Sequence, residues 1–306
     1  NERWEQVGGD LSYNFDPDTG ATHVTITQDG NRVAFSNVLQ DPNHTGIVII
    51  FDWNGNNWSS HTITPQVTSN NFLTTYQRFG AEMQFSGDGN KIVIGAGGEN
   101  NNTRGHAYLY KYNNNNTWSV LDADRGSSGD YAANRICISE DGKSWGYNNR
   151  EYNTNQHGYV RILREDPNIE NSWSGTDVTI DTGGSPYNHD DANYFGGSGI
   201  RLNDNGSRLF VGTDSYNSGA GIINVFDYNF SNNSWSYLAS VTTGYTNSYF
   251  PNNIDIGLNG LYFIGGTSAT DGKFVKVFKL IPGPLESGSL YYETTGSDAY
   301  ILKIQP

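Results

Sequence analysis

The chain has 306 residues, enough for one large all-β domain or two smaller domains. Its formal net charge is -14 and its basic residues are scattered, which argues against nucleic acid or an anionic membrane as the main partner. The single cysteine excludes an intrachain disulfide, and no apolar run approaches the roughly 20 residues of a spanning helix, so we expect no membrane insertion.

Tight turns recur along the chain between short runs of alternating apolar residues. They occupy residues 27–30, 86–89, 139–142, 203–206 and, in a degenerate form, 257–260. All five end in Asp-Gly or Asn-Gly, which is a strong hairpin signal because glycine adopts the required positive φ at low cost. Each of the five copies is therefore predicted to begin with a β-hairpin.

A third and a fourth strand are predicted after each hairpin. A glycine opens the third strand of every copy, at Gly46, Gly105, Gly158, Gly221 and Gly272. An Asn-rich turn and a tryptophan precede the fourth strand of four copies, at Trp58, Trp118, Trp173 and Trp235. The fifth copy lacks this tryptophan, and the N-terminal segment 4–8 fits the missing strand.

Four-stranded repeats of roughly 55 residues are typical of propeller blades. The sequence thus predicts an all-β fold, a five-bladed β-propeller of four-stranded antiparallel blades over residues 1–281, closed by the N-terminal strand. Residues 282–306 are predicted to be a C-terminal extension, consisting of a Pro-Gly-Pro linker and a hairpin. We expect this extension to join the chain to a larger protein or assembly.

Copies two and four resemble the FG-GAP type of propeller repeat, through Phe79-Gly80 and Phe195-Gly196 ahead of their turns. This family includes the integrin α head and surface proteins of bacteria and viruses. The resemblance implies ligand recognition at a cell or virion surface, in an extracellular location and without catalysis. Many members carry an Asp-x-Asp-x-Asp-Gly calcium loop in the first hairpin. None of the five turns has that acid content, so we expect no calcium, other metal or cofactor.

The loops between blades gather on one face of such a ring, which is the default binding surface. Tyrosines beside carboxylates suit a cell-surface glycan or a surface protein as partner. The candidate ligand-binding residues are Tyr76, Arg78, Asp130, Tyr131, Tyr187, His189, Asp190, Asp191, Tyr194, Tyr245 and Tyr249. Four of these tyrosines, Tyr76, Tyr131, Tyr194 and Tyr249, occupy equivalent positions and could instead pack between blades. The loop around residues 187–191 has no counterpart in the other copies.

Alignment of the first strands on their turns makes His23, Glu82 and Arg135 equivalent, and places Arg201 and Asp255 one step deeper. We predict buried ion pairs between blades, Glu82 with Arg135 and Arg201 with Asp255, because an unpaired buried charge is costly. A structural role is favoured over a site at the channel mouth. Cys137, at the same level, is predicted to be a small core residue.

The predicted function is that of a non-enzymatic binding or adhesion module. A structural decoration or fibre domain of a virion is one alternative. A five-bladed propeller glycosidase is another, since two of the acids could flank a glycosidic bond at about 5 to 9.5 Å. No nucleophile elbow, zinc-protease helix, phosphate-binding loop or cysteine-metal cluster is present in the sequence.

Overall fold

The fold is described from a computed structural model of the chain. The residues that it describes are 3–13, 23–40, 44–65, 78–97, 105–126, 132–149, 158–179, 182, 194–242, 249–257, 259–267, 275–281, 290–294 and 300–304.

Five sheets follow one another along the chain, and we number them blades 1 to 5. Blade 1 contains β1 (His23–Ile26), β2 (Arg32–Asn37), β3 (Ile47–Trp53) and β4 (Trp58–Ile63). Blade 2 contains β5 (Phe79–Phe85), β6 (Lys91–Ala96), β7 (His106–Tyr112) and β8 (Trp118–Arg125). Blade 3 contains β9 (Ala132–Ile138), β10 (Ser144–Asn149), β11 (Tyr159–Asp166) and β12 (Ile169–Val178).

Blade 4 contains β13 (Gly199–Leu202), β14 (Arg208–Thr213), β15 (Ile222–Asn229) and β16 (Ser234–Val241), with the short helix α1 (Tyr216–Gly219) between β14 and β15. Blade 5 contains β17 (Asn253–Ile256), β18 (Tyr262–Gly266), β19 (Val275–Ile281), β20 (Leu290–Thr294) and β21 (Tyr300–Ile304). In blades 1 to 4 every pair of neighbouring strands is antiparallel and follows chain order.

Side chains close the hairpin turns, which explains the Ser/Thr-x-Asp-Gly pattern. In the first turn the Thr27 hydroxyl donates to Asp29 Oδ1 at 2.6 Å and accepts from the Arg32 amide at 3.0 Å. The same Asp29 oxygen accepts from the Asn31 amide at 3.0 Å. The Thr27 hydrogen bond and these amide contacts hold the pKa of the Asp29 carboxyl below its usual value. The turns are therefore fixed locally by their own residues.

The cores lie between the blades rather than within them. One buried apolar cluster fills each of the four spaces between consecutive blades; for example, Ala34, Val48 and Ile50 of blade 1 meet Phe79 and Ile94 of blade 2. A middle strand such as β3 packs on both faces, and this is why residues 47–51 form a continuous apolar run. Stacking of the sheets thus supplies most of the apolar burial of the fold.

A basic side chain of each of the first four blades reaches the turn of the next blade. Lys91 Nζ donates to the carbonyl of Gly142 at 2.9 Å, and Arg208 donates to that of Gly260 at 3.2 Å. Arg32 and Arg164 make the equivalent bonds to Gly89 and Gly206. We call these four contacts the turn cations.

The glycines that open the third strands permit a close approach between blades. A Cβ on Gly105 would lie 1.8 Å from the Ala132 carbonyl oxygen, and one on Gly221 would lie 1.3 Å from that of Phe250. Gly46 stands in the same relation to Phe79, with a distance of 2.3 Å to its carbonyl oxygen. No side chain fits at these points, which accounts for the glycine at the start of the third strand.

The N-terminal segment does not occupy the position predicted for it. In blade 5, β21 pairs in parallel with β19 at the place where a fourth strand was expected. Residues 3–13 contain no strand; instead Trp58 Nε1 donates to the Val7 carbonyl at 2.9 Å, and Leu11 packs on blade 1. The Gly8 backbone packs closely against the indole rings of Trp53 and Trp58. The N-terminal segment thus packs on blade 1 and is not a latch on blade 5.

We predict that Gly105→Ala destabilises the protein by about 2–3 kcal/mol, because the added methyl group would overlap backbone atoms of the next blade. Urea denaturation monitored by tryptophan fluorescence measures the change. Gly9→Ala is the matched control, since a Cβ there meets no described atom within 4 Å, and its midpoint should not move. Equal stability of the two variants would contradict the close approach of blades 2 and 3.

Candidate functional site

The first strands of the five blades lie side by side and bring five polar residues together. These residues are His23 of β1, Glu82 of β5, Arg135 of β9, Arg201 of β13 and Asp255 of β17, and we call them the inner-strand cluster. Contacts join β1 to β5, β5 to β9, β9 to β13 and β13 to β17. The cluster therefore combines residues from all five blades on neighbouring strands.

Glu82 and Arg201 form the buried centre of the cluster. The Glu82 side chain is 9% exposed and that of Arg201 is 15% exposed. Arg201 Nη1 donates to Glu82 Oε1 at 3.2 Å, and the Ile136 amide donates to Glu82 Oε2 at 2.9 Å. Both carboxylate oxygens thus have partners, as burial of a charge requires.

Asp255 marks the open side of the cluster. Its Oδ1 lies 3.7 Å from Arg201 Nε, and its side chain is 77% exposed. Arg201 consequently connects a buried carboxylate to one in contact with water. The cluster is thereby open to solvent on the side of blade 5.

His23 and Arg135 lie on β1 and β9, the two first strands on either side of β5, which carries Glu82. Arg135 donates from Nε to the Gly197 carbonyl at 3.3 Å, while its backbone amide donates to Asn148 Oδ1 at 2.8 Å. Burial lowers the pKa of the His23 imidazole, and the charges of Glu82 and Arg135 act on it in opposite directions. His23 is therefore neutral near pH 7 and able to accept a proton.

The ion pairs differ from the predicted buried pairs in two respects: Glu82 has a different partner, and the pair of Arg201 with Asp255 is not buried, because Asp255 is 77% exposed. The structure pairs Glu82 with Arg201 of blade 4, two blades away, and not with Arg135 of the adjacent blade. Arg201 also lies within ion-pair distance of Asp255. The long arginine at the deeper position reaches across β9, because the position next to it is occupied by the small Cys137.

Cys137 lies in the core between blades 3 and 4 and is wholly buried. Desolvation raises the pKa of its thiol well above the usual range. Such a thiol is not a nucleophile at neutral pH.

Most of the predicted loop residues lie outside the described part of the chain. They are Tyr76, Asp130, Tyr131, Tyr187, His189, Asp190, Asp191 and Tyr245. Arg78, Tyr194 and Tyr249 are described, and each has a positive φ, at 53°, 62° and 47° respectively. Each directly precedes a buried phenylalanine, so this backbone conformation directs a ring into the core. Ligand binding by any of these residues stays a prediction.

His23 is the residue that the predicted site omitted. Its alignment with Glu82 and Arg135 was the available signal, because equivalent positions of neighbouring first strands face the same space. The described residues contain no group of three or more His, Cys, Asp or Glu that could hold a metal ion. Nor is any described helix long and apolar enough to cross a membrane.

A concave region lies between blades 3 and 4 on the turn side, with a cavity of about 840 Å³. Arg164 lies at its inner wall, with its guanidinium carbon 3.6 Å from the ring centroid of Tyr228. This arginine is one of the turn cations and holds the two blades together. The region is therefore built around a structural contact.

Solved structures with similar folds are propellers. A Lactobacillus plantarum protein matches with a TM-score of 0.53 and 14% identity, over 83% of this chain and 66% of its own. A protein from Bacteroides fragilis named "putative 6-phosphogluconolactonase" matches with a TM-score of 0.51 and 14% identity, over 84% of this chain and 66% of its own. The predicted β-propeller is confirmed.

A third structure, from Sulfolobus tokodaii and named as a hypothetical selenium-binding protein, has a TM-score of 0.50 and 12% identity, over 73% of this chain and 55% of its own. This chain thus spans about two thirds or less of the length of these three structures. No protein-family model matches it. No curated protein matches it either.

These comparisons correct the function predicted from the sequence. A non-enzymatic adhesion module was expected, whereas the propellers of similar fold include one named for a sugar lactonase, which is an enzyme. The expectation that the chain is not an enzyme is wrong on the same finding. The virion decoration role and the glycosidase alternative are set aside with the adhesion function.

We predict that Arg201→Met destabilises the protein by about 3–5 kcal/mol, since it leaves the Glu82 carboxylate buried without its cation. Asp255→Asn, which alters the exposed partner of the same arginine, should cost less than about 1 kcal/mol. Urea denaturation of both variants measures the difference. If Arg201→Met were as stable as Asp255→Asn, Arg201 would not be the counter-ion that stabilises Glu82.

Proposed function

We propose that the protein is a hydrolase that opens a sugar lactone, or a closely related cyclic ester, at the inner-strand cluster. The observation that carries this proposal is a neutral histidine placed among two arginines and two carboxylates on adjacent first strands. The name of the Bacteroides fragilis propeller supports the substrate class. The cluster supplies a base and two cations, which are the groups that such a reaction needs.

His23 is the candidate base. Its pKa lies below 6.5 because burial disfavours the imidazolium, so most of the side chain is unprotonated at neutral pH. The nearby Glu82 carboxylate favours the protonated form once a proton has arrived. An imidazole in this state can take a proton from water and later return it.

The two arginines are the candidate electrophilic groups. A guanidinium stabilises the negative charge that develops on a carbonyl oxygen, and it binds the carboxylate of the product. Glu82 accepts from Arg201 and from the Ile136 amide, so it fixes the direction of that guanidinium. Glu82 is thus a positioning residue.

The proposed reaction consumes one water and yields one hydroxy acid. The water oxygen attacks the lactone carbonyl carbon while His23 takes a proton from that water. The bond between the carbonyl carbon and the ring oxygen then breaks, and the proton on His23 passes to the departing oxygen. The imidazole returns to its neutral form, and the product leaves as a carboxylate after its new acid group has released one proton to the solvent.

We predict that the protein hydrolyses glucono-δ-lactone or its 6-phosphate faster than buffer does, and that His23→Ala lowers kcat/KM by about 100-fold or more. A pH-stat assay corrected for spontaneous opening measures this rate. His61→Ala is the matched control, because His61 pairs with Asp52 in blade 1 and lies outside the cluster. Absence of lactone hydrolysis by the wild type, or an equal loss in both variants, would contradict the proposal.

The pH profile should report the base. A base must be unprotonated, so kcat/KM should be constant near pH 7 and fall only as the pH drops below the pKa of His23, itself below 6.5. The acid limb should be absent from the residual activity of His23→Ala. A limb that persists in that variant would assign the base to another group.

Three finer points are also proposals. FG-GAP-type repeats are supported by Phe79-Gly80 and Phe195-Gly196, whose glycines have φ values of 96° and 77°. An extracellular or envelope location is compatible with a chain that has a single cysteine. Attachment to a larger protein through residues 282–306, and a surface glycan or protein as partner, stay predictions.

A further inference from the structure

Two aromatic rings lie opposite each other at the turn end of the third and fourth strands in three of the blades. In blades 1, 2 and 4 respectively, the register pairs Trp53 with Trp58, Tyr112 with Trp118 and Tyr228 with Trp235. The ring centroids lie 5.2, 5.2 and 5.1 Å apart, and the interplanar angles are 49°, 53° and 58°. One arrangement of two rings is thus repeated, and we call it the ring pair of each blade.

The ring pairs of blades 2 and 4 each hold the guanidinium group of a turn cation from the preceding blade. The Arg32 guanidinium carbon lies 4.0 Å from the ring centroid of Tyr112 and 5.0 Å from that of Trp118. The Arg164 guanidinium carbon lies 3.6 and 5.1 Å from the two rings of blade 4. A cation within roughly 6 Å of a ring centroid is attracted to the face of the ring. The ring pair is therefore a cation-binding element of this chain.

Blade 3 shows that a carboxylate can replace one of the two rings. Glu165 stands opposite Trp173, at the place where blades 2 and 4 have a tyrosine. The Lys91 ammonium of blade 2 lies 5.3 Å from the ring centroid of Trp173 and 3.9 Å from Glu165 Oε2. One indole and one carboxylate thus hold a turn cation in the same position.

The ring pair of blade 1 faces the N-terminal segment instead of a turn cation. A Cβ on Gly8 would lie 2.8 Å from Cζ3 of Trp53 and 2.9 Å from Cδ1 of Trp58. A cavity of about 310 Å³ lies beside the same two indoles, lined also by Phe51, Asn56, Asn57 and residues 8–12. The cavity is therefore bounded by the ring pair on one side and by the N-terminal segment on the other.

The charge of this cavity favours a cation. Asp10 is the ionisable residue among the described residues that line it, and its carboxylate is exposed. Oδ1 of Asp10 accepts from Gln6 Nε2 at 2.8 Å, which holds the carboxylate on the segment. The formal net charge of -14 also draws cations toward the protein. Two indoles and a carboxylate are the groups that hold the turn cations in the other blades.

We propose that the cavity beside Trp53 and Trp58 binds a guanidinium group carried on an alkyl chain, as in arginine. The guanidinium stacks on the indole rings, in the way that the ring pairs of blades 2 and 4 hold theirs. Asp10 supplies the counter-charge. A guanidinium is planar and more weakly hydrated than an ammonium group, so it stacks on rings more readily. The site lies on β3 and β4, and it does not depend on the reaction proposed for the inner-strand cluster.

An NMR titration of the full chain with free arginine tests the site. The reporter is the indole N–H resonance of Trp58, assigned with Trp58→Phe. Arginine at millimolar concentration should shift this resonance in a saturable manner. Citrulline is the matched control ligand, because it has the same chain and α-groups and a planar head without charge, and it should cause no shift.

Two variants test the groups that form the site. Trp53→Leu should weaken arginine binding by about 5-fold or more, because it removes one of the two rings. Asp10→Asn should weaken it by about 3-fold or more, because it removes the counter-charge. Glu5→Gln is the matched control, since it removes one negative charge from the same segment, but Glu5 pairs with Arg3 and does not line the cavity. Its dissociation constant should equal that of the wild type.

A capped Gly-Arg-Gly peptide distinguishes the two sources of the ligand. Binding at least as tight as that of arginine identifies a side chain of a polypeptide, and weaker binding identifies a small guanidinium compound. A Trp58 resonance that does not move with either ligand overturns the proposal. So does an equal shift with citrulline, or an equal effect of Asp10→Asn and Glu5→Gln.

Lys279 is the alternative occupant within the chain. It stands in blade 5 at the position of Arg164, opposite Tyr262, and its Nζ lies 5.2 Å from the Tyr262 ring centroid. Lys279→Met should bind arginine as the wild type does. If arginine shifted the Trp58 resonance only in Lys279→Met, the lysine of the chain itself would fill the site, and the proposal of a separate ligand would be wrong.

Discussion

The contact between one blade and the next is the interaction on which the rest of the structure depends. It combines a buried apolar layer, a basic side chain that ends on a carbonyl of the next turn, and a glycine that lets the backbones approach. The sheets are short, and none could bury enough apolar area alone. Because the apolar layer and the cation occur at all four junctions, the loss of one blade would expose apolar surface and buried cations on its neighbours.

This stacking also explains the properties of the inner-strand cluster. The first strands are held rigidly by the sheets behind them, so Glu82 and Arg201 meet across β9 without a loop to position them. Burial supplies the low polarity that lowers the pKa of His23, and the cations come from other blades. A site built on strands is more precisely ordered than one built on loops. The chemistry proposed for the cluster depends on that order.

The sequence predicted the features that local chemistry determines. The hairpin turns follow from Thr27 and Asp29 and their counterparts, whose side chains close the turn by themselves. The third-strand glycines also followed from the repeat. The N-terminal segment was misplaced because Trp4 and its neighbours resemble a fourth strand in composition, whereas its docking is decided by contacts with Trp53 and Trp58. The prediction paired Glu82 with Arg135 because their strands are adjacent, whereas the observed partner is Arg201. The order of the strands does not show that an arginine side chain can reach across one of them.

The function was harder to predict than the fold. The sequence predicted the binding site in loops rich in aromatic and acidic residues, such as Tyr187 and Asp190. The charged residues of the first strands were predicted to be purely structural. An ion pair between blades and a catalytic group have the same sequence signal, namely a charge at a position that should be buried. Only the partial burial of His23, beside charges of both signs, distinguishes the two interpretations.

The central claim is that blade stacking withdraws His23 from water and brings it within reach of the charges of Glu82 and Arg135. An NMR titration of the His23 imidazole, assigned with His23→Ala, measures this directly. The account predicts a pKa below 6.5 that falls further in Glu82→Gln, because the carboxylate raises it in the wild type. A His23 that titrates at its ordinary value and does not respond to the loss of Glu82 would contradict the account.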